Sequence, residues 1–277
     1  MDLLEAMNIE YRWSKWWLVS SFILTVPAYI CLVCAALLPG PSVKWITFAA
    51  FVFQLMGNFS RSHSAAHYSL GESVRRPAMA QTGLAASISA VEVAKIAAKY
   101  GIVFKGEPIR CDKYYESVGT PGRRRLAEIT LESAFWTGQL AGRMATLLKR
   151  SLFVVGIILG VSVLVALQSG LTAIQGQALA KIYIVSVTVW CTGDLWALWR
   201  KYDSLSLGLQ NVLAKCELAL SRPEIGEEVL LLFGEYNCCL AAAAVIPDFV
   251  YNQSRARLNE AWASRHTRTP ANFETVS

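Results

Sequence analysis

The sequence predicts an all-α, polytopic membrane protein: four transmembrane helices in two hairpins, extended into a cytoplasmic helical bundle. Three observations predict it. Of 277 residues, 54% are hydrophobic and only 17% charged, where a water-soluble domain carries about a quarter charged residues. Long apolar runs recur in two pairs. The basic residues are sorted to one side of those runs, which is how membrane orientation is written in a sequence. So apolar a composition excludes a disordered chain and argues against an ordinary soluble enzyme.

Trp17 to Leu38 is an uncharged run of 22 residues. At about 1.5 Å per residue it is long enough to cross a hydrocarbon core of about 30 Å. Pro27 is expected to kink it rather than end it, because bilayer helices tolerate proline. The run exceeds the apolar stretch of a cleaved signal peptide and a second follows at once, so it reads as a retained helix. Pro39-Gly40-Pro41 turns the chain, and Trp45 to Phe59 returns; its 15 residues need flanking residues to span. A polar continuation runs past Arg61 to about Leu70. After Pro77 a separate small-residue helix is expected, Ala78 to Tyr100, stopped by Gly101. An irregular connector follows from Gly101 to Gly122.

One continuous helix is then expected from about 123 to 167, roughly 65 Å long. Leu126, Ile129, Ala134 and Leu140 supply its apolar positions. Arg124 and Glu128, four apart, support it, and Glu128/Glu132 slightly oppose it. It enters the third apolar run, Leu152 to Leu167, after Lys149 and Arg150. A short turn, 168–180, leads to the fourth run, Ile182 to Trp199, whose helix continues beyond Arg200 to about Leu220. Pro223 punctuates. Glu224 to Val245 is expected to be a helix with acidic residues in its first turn, where the dipole favours them. Its apolar content suits a fifth span, but Glu235, Tyr236 and Asn237 interrupt it and favour packing against the cytoplasmic stalk. The organisation read from the chain is a first hairpin over 1–60, a cytoplasmic helical segment over 61–150, a second hairpin over 151–200, C-terminal cytoplasmic helices over 201–260 and a mobile tail over 261–277.

Fourteen Lys/Arg lie between residues 61 and 150 and eight after residue 199, against one in each hairpin turn, Lys44 and Lys181. This bias puts both termini and the middle segment in the cytoplasm. Trp13, Trp16, Trp17, Trp196 and Trp199 then mark the inner interface and Trp45 the outer one. Residues 61–150 carry 14 basic and 7 acidic side chains, net +7; anionic lipid of the inner leaflet is the partner this favours. A nucleic-acid module is not visible, so no nucleic-acid partner is expected. Seven cysteines, placed in membrane runs or the reducing cytoplasm, make no disulfide framework. Cys31-x-x-Cys34 lacks the βαβ surroundings of a redox site.

Catalytic patterns are absent: no GxSxG, P-loop, GxGxxG or zinc-type spacing. No enzyme activity, cofactor or metal is expected. His63 and His67, four apart, share a helix face and with carboxylates could hold a metal; two polar residues on an interfacial helix is the plainer reading. Asp194 is the one acid inside a membrane run, a position functional by default; it either pairs with Arg200 or Lys201 or lines a pore. Gly156-x-x-x-Gly160 permits close helix approach, within one chain or between chains. Asp112, Tyr114 and Tyr115 precede Arg123, Arg124 and Arg125. Aromatic faces plus guanidinium groups suit a base and a phosphate; the competing reading is an aromatic anchor for the connector with solvated arginines.

The stretch from Asp112 to Met144 reads D-K-Y-Y, Pro121-Gly122, R-L-A-E at Arg125 to Glu128, E-S-A-F-W-T at Glu132 to Thr137 including Trp136, and L-A-G-R-M. Ile246-Pro247-Asp248-Phe249 follows later, with Tyr251 and Arg255. This resembles the SMODS-associating four-transmembrane family of pore-forming effectors. Where that family would carry a Gln-rich stretch leading to Phe-Asp, this chain has Ser-His-Ser-Ala-Ala-His. The resemblance implies a bacterial antiviral defence role. A cyclic nucleotide made by a nucleotidyltransferase, or a partner protein, would trigger an inner-membrane homo-oligomer contacted at Asp112, Tyr114, Tyr115, the three arginines and Trp136. The residues themselves support a polytopic helical protein whose long helices couple cytoplasm to bilayer; the second reading is a non-conducting, membrane-anchored helical scaffold or signalling partner. A constitutive transporter ranks below both, since Pro27 is the only candidate for a broken helix.

Overall fold

The computed structural model describes residues 3–37, 42–86, 94, 97–101, 115–117, 119–168, 176 and 195–266. Every regular element among them is helical: α1 Leu3–Leu37, α2 Ser42–Leu84, α3 Arg123–Gln168, α4 Leu195–Leu220, α5 Glu228–Ala241 and α6 Asp248–His266. Asp194 and most of the fourth apolar run lie outside the described residues, as do Asp112 and Tyr114.

α1 and α2 form an antiparallel hairpin whose seam is made of small residues. Ser14, Ser21 and Ala28 on α1, and Ala50, Gly57, Ser64, Gly71 and Ala78 on α2, recur at intervals of seven and are all buried. A seven-residue repeat keeps one face in register with a neighbour along a left-handed supercoil. Small side chains let the backbones close up enough for hydroxyls to bond across. Ser14 Oγ donates to the Ser64 carbonyl at 2.7 Å and Ser64 Oγ to the Ser14 carbonyl at 2.8 Å. Nearer the turn, Arg61 donates to Thr25 Oγ1 at 3.1 Å.

The outward faces of the same helices are apolar. Ile23, Val26 and Ile30 on α1, and Trp45, Phe48, Phe51 and Leu55 on α2, are all exposed. Among the described residues one stretch, Leu4–Ala35, is long and apolar enough to cross a membrane, and only 17% of its most apolar window is buried. A soluble core helix would bury that surface instead.

α2 differs from expectation at its far end. Pro77 does not punctuate it; the helix runs through to Leu84. Proline in a helix interior costs about 3 kcal/mol, and here Val74, Ala78 and Met79 around it are fully buried in the core, which offsets that cost. The break comes at Ala85, whose φ of 54° lies in the left-handed region. Residues 97–100 are helical again and stop at Gly101, φ 62°, as the sequence suggested.

α3 is the expected long helix, 46 residues or roughly 69 Å. It packs on α4 through Gly138 and Gly142: Ser206 Oγ donates to the Gly138 carbonyl at 3.1 Å, and a Cβ on Gly142 would stand 2.8 Å from that hydroxyl. A Cβ on Gly160 would meet nothing within 4 Å among the described residues. Among the described residues, close approach of α3 to a neighbouring helix uses Gly138-x-x-x-Gly142.

α5 is shorter than the predicted Glu224–Val245. Gly226 lies in the turn before it, and beyond Ala241 the Val245 carbonyl is taken by the buried Tyr202 hydroxyl at 2.6 Å. α6 continues past residue 260, against the expectation of a mobile tail from 261. Trp262 is buried, stacks obliquely on Phe135 with ring centroids 5.0 Å apart, and donates Nε1–H to Glu116 at 2.7 Å.

Candidate functional site

Where the hairpin meets the bundle, α1, α2, the connector before α3, and α3 to α6 enclose a cavity of about 640 Å³. Its position follows from local sequence. At Gly71 in the seam a Cβ would sit 2.9 Å from the Tyr11 ring; the missing side chain makes room for that tyrosine. Tyr11 Oη then donates to Glu72 Oε1 at 2.6 Å. Glu72 is almost wholly buried, and Arg75, one turn on, donates to the same oxygen at 3.2 Å. Arg75 also donates to the Tyr236 hydroxyl of α5 and lies over that ring, 5.5 Å from its centroid. Glu72 Oε2 is buried with no hydrogen-bond partner among the described residues.

Burial works against the Arg75 cation, but Tyr236 and Glu72 more than offset it, and its pKa stands above the ordinary value. Burial first, then the Glu72 charge, raises Tyr68 well above the usual phenol range. Burial lifts Tyr236 to about 12, the Arg75 charge working the other way. The phenols therefore stay neutral at neutral pH around one ion pair, Tyr11 donating to Glu72 and Tyr236 accepting from Arg75. Arg12 and Lys15 also line the cavity, with Lys15 paired to Asp248 at the start of α6, where the helix dipole favours an acid.

A second buried acid braces the same junction. Glu10 is wholly buried and accepts from His67 Nδ1, from Lys99 Nζ at 2.5 Å and from Tyr100 Oη at 2.5 Å. It thus ties α1, α2 and residues 97–100 together. His63 packs between Trp17 and Phe59, ring centroids 5.1 and 4.2 Å away. The two histidines lie 6.4 Å apart on one face. Among the described residues no group of three or more His, Cys, Asp or Glu side chains is placed to hold a metal ion.

The residues singled out from sequence are only partly brought together. Tyr115 is buried and lines the cavity. Trp136 lies beside Tyr251, ring centroids 6.5 Å apart, and Tyr251 lines the cavity too. The arginines diverge: Arg123 pairs with Glu227 at 3.2 Å, Arg124 with Glu128 at 3.5 Å, and Arg125 turns inward to the Ser117 carbonyl at 3.5 Å. Gly156 lies elsewhere, between α3 and α4. Ile246, Asp248 and Tyr251, noted in sequence only for a resemblance, line the same cavity as Tyr115.

Glu72, Arg75, Tyr11, Tyr68 and Tyr236 escaped the sequence reading. The Glu72-x-x-Arg75 spacing was visible, but such a pair in a charged segment is ordinarily solvated; only the arrival of α1 and α5 buries it. Compared with family models, with curated proteins and with solved structures, the chain has no match.

Proposed function

We propose that this protein is a pore-forming membrane effector of a bacterial nucleotide-signalled antiviral defence system, closed at rest and disrupting the inner membrane when triggered. It crosses the bilayer four times with both termini in the cytoplasm and acts as a homo-oligomer. A cyclic nucleotide or a partner protein supplies the trigger. The observation that carries the reading is the two-sidedness of single helices. α1 and α2 present exposed Ile, Val, Trp and Phe at one end and enclose the Glu72–Arg75 network at the other. α3 runs unbroken from the bundle core at Leu126 to exposed Phe153, Ile157, Val161 and Leu164. A continuous helix transmits a shift of the bundle into the bilayer.

A ligand moves such an equilibrium only by binding one state better than the other. The junction cavity supports that requirement, because its walls come from both the hairpin and the bundle and change together when one moves. Arg12 and Lys15 suit an anionic trigger, and Tyr68, Tyr115 and Tyr251 suit an aromatic one.

Membrane potential after induced expression, with and without added cyclic nucleotides or the neighbouring genes, tests this directly. Depolarisation and dye entry on triggering are expected. An intact potential under every inducing condition, with a reporter at residue 110 still reading as cytoplasmic, replaces the pore with a non-conducting scaffold. A reporter there that reads as external removes the topology itself.

A further inference from the structure

Between α3 and α4 lies a second cavity, about 780 Å³, with a different character. Its walls are Leu152, Phe153, Gly156 and Ile157 on one helix and Trp196 and Trp199 on the other, and its rim carries Lys149 and Arg150. Among the described residues no carboxylate lines it, and neither Lys149 nor Arg150 makes an ion pair. Phe153 and Trp196 stand 69% and 52% exposed. Two indole rings, edge-to-face with centroids 4.7 Å apart, flank the basic end.

Each part has a physical counterpart in one molecule. Tryptophan settles at the headgroup level of a bilayer. Unpaired basic side chains between helices on the cytoplasmic side attract anionic headgroups. The apolar wall beside them, Leu152, Phe153, Gly156 and Ile157, suits an acyl chain. A free phosphate would leave that wall uncovered, and an uncharged apolar ligand would leave the cations unmatched. The volume falls in the range of about 300–1,000 Å³ in which ligand pockets enclose their occupants.

We propose that this cavity binds one anionic phospholipid of the inner leaflet, its phosphate held by Lys149 and Arg150, its glycerol region against Trp196 and Trp199 and an acyl chain along Phe153 and Ile157. The proposal rests on the membrane reading above. It gives Gly156 a role other than helix packing. It also places a lipid at the point where α3 leaves the bundle, so that anionic lipid content biases how α3 and α4 sit together.

The test is quenching of Trp196 and Trp199 fluorescence by acyl-brominated lipids, taken as the difference between wild-type protein and W196F/W199F. Vesicles of phosphatidylcholine and phosphatidylglycerol carry the bromine on one lipid or on the other. Each basic residue is worth about fivefold in affinity for an anionic lipid, so the pair predicts roughly thirtyfold selectivity for brominated phosphatidylglycerol. K149Q/R150Q should abolish that selectivity, K149R should keep it, and Gly156→Leu should weaken quenching by filling the acyl wall. Equal quenching by both lipids, unchanged in K149Q/R150Q, overturns the lipid site while leaving the membrane reading standing. Absence of quenching by either lipid at every tryptophan, Trp45 included, overturns both.

Discussion

Glu132 shows how a single carboxyl couples this fold to pH. Burial raises its pKa to about 7, partly countered by the hydrogen bond it accepts from the Glu116 amide at 3.1 Å. The folded protein therefore holds this proton more tightly than the unfolded chain, whose carboxyl titrates near 4.5. Where the folded state binds more protons, stability falls as pH rises. The contribution is intact below pH 4.5 and is lost through pH 7, an effect of about 3 kcal/mol. Glu132→Gln should thus raise the thermal midpoint in detergent at pH 8 and change it little at pH 4; equal shifts at both would refute the assignment. Arg75 behaves differently, because its charge is already matched. Removing one partner strands a buried ion at a cost of about 3–5 kcal/mol, and replacing both by apolar groups costs less. Arg75→Met should accordingly lose more stability than Glu72→Gln/Arg75→Met, measured by chemical unfolding.

At the level of helices, glycines decide which faces touch. A Cβ on Gly83 would meet the Leu126 Cα at 2.9 Å. That atom is backbone, and the Gly83 carbonyl is also tied to the Gly122 amide at 2.7 Å. Overpacking of this kind costs about 1–3 kcal/mol, so Gly83→Ala should lower the thermal midpoint measurably. Gly160→Ala, in open space, should leave the monomer's midpoint unchanged. Residues 97–101 depend instead on charge. With Lys99 and Tyr100 both bonded to Glu10, Glu10→Ala should release this segment, seen as faster limited proteolysis near residue 100 while α3 and α4 stay protected.

These elements differ in how far the chain announced them. α3 was legible from Arg123 onward because no proline interrupts its apolar periodicity before the end of the third run, and the isolated glycines within it do not end a helix. The boundary at Pro77 was not, since a proline ends a helix only where the surrounding burial cannot offset its lost hydrogen bond. The heptad of small residues from Ala50 to Ala78 was in plain view and went unread. Periodicity is usually sought in large apolar residues, and here the repeat is written in their absence. α6 went unread past residue 260 for the opposite reason: one tryptophan, Trp262, holds its last turns.

For the whole molecule, the hairpin and bundle share helices rather than a linker, so the apolar outer faces and the buried charges belong to the same continuous helices. If the membrane reading holds, the protein should remain in the membrane fraction through high-salt and carbonate washes and come out only with detergent, because the exposed Phe, Ile and Trp rows are not held by charge. Release by salt alone would refute it. Composition and the order of apolar runs determined by themselves that the chain is helical, that its first helix is long and apolar enough to span, and roughly where α3 and α4 lie. These follow from local periodicity and from the free energy of burying apolar surface, both legible residue by residue. Only the tertiary structure decided that Glu72 and Arg75 are buried together, that Tyr115 faces a cavity while the three arginines scatter, and that Gly138 and Gly142 make the close contact. Burial of a polar group depends on which distant segment covers it, and no spacing within one helix carries that information.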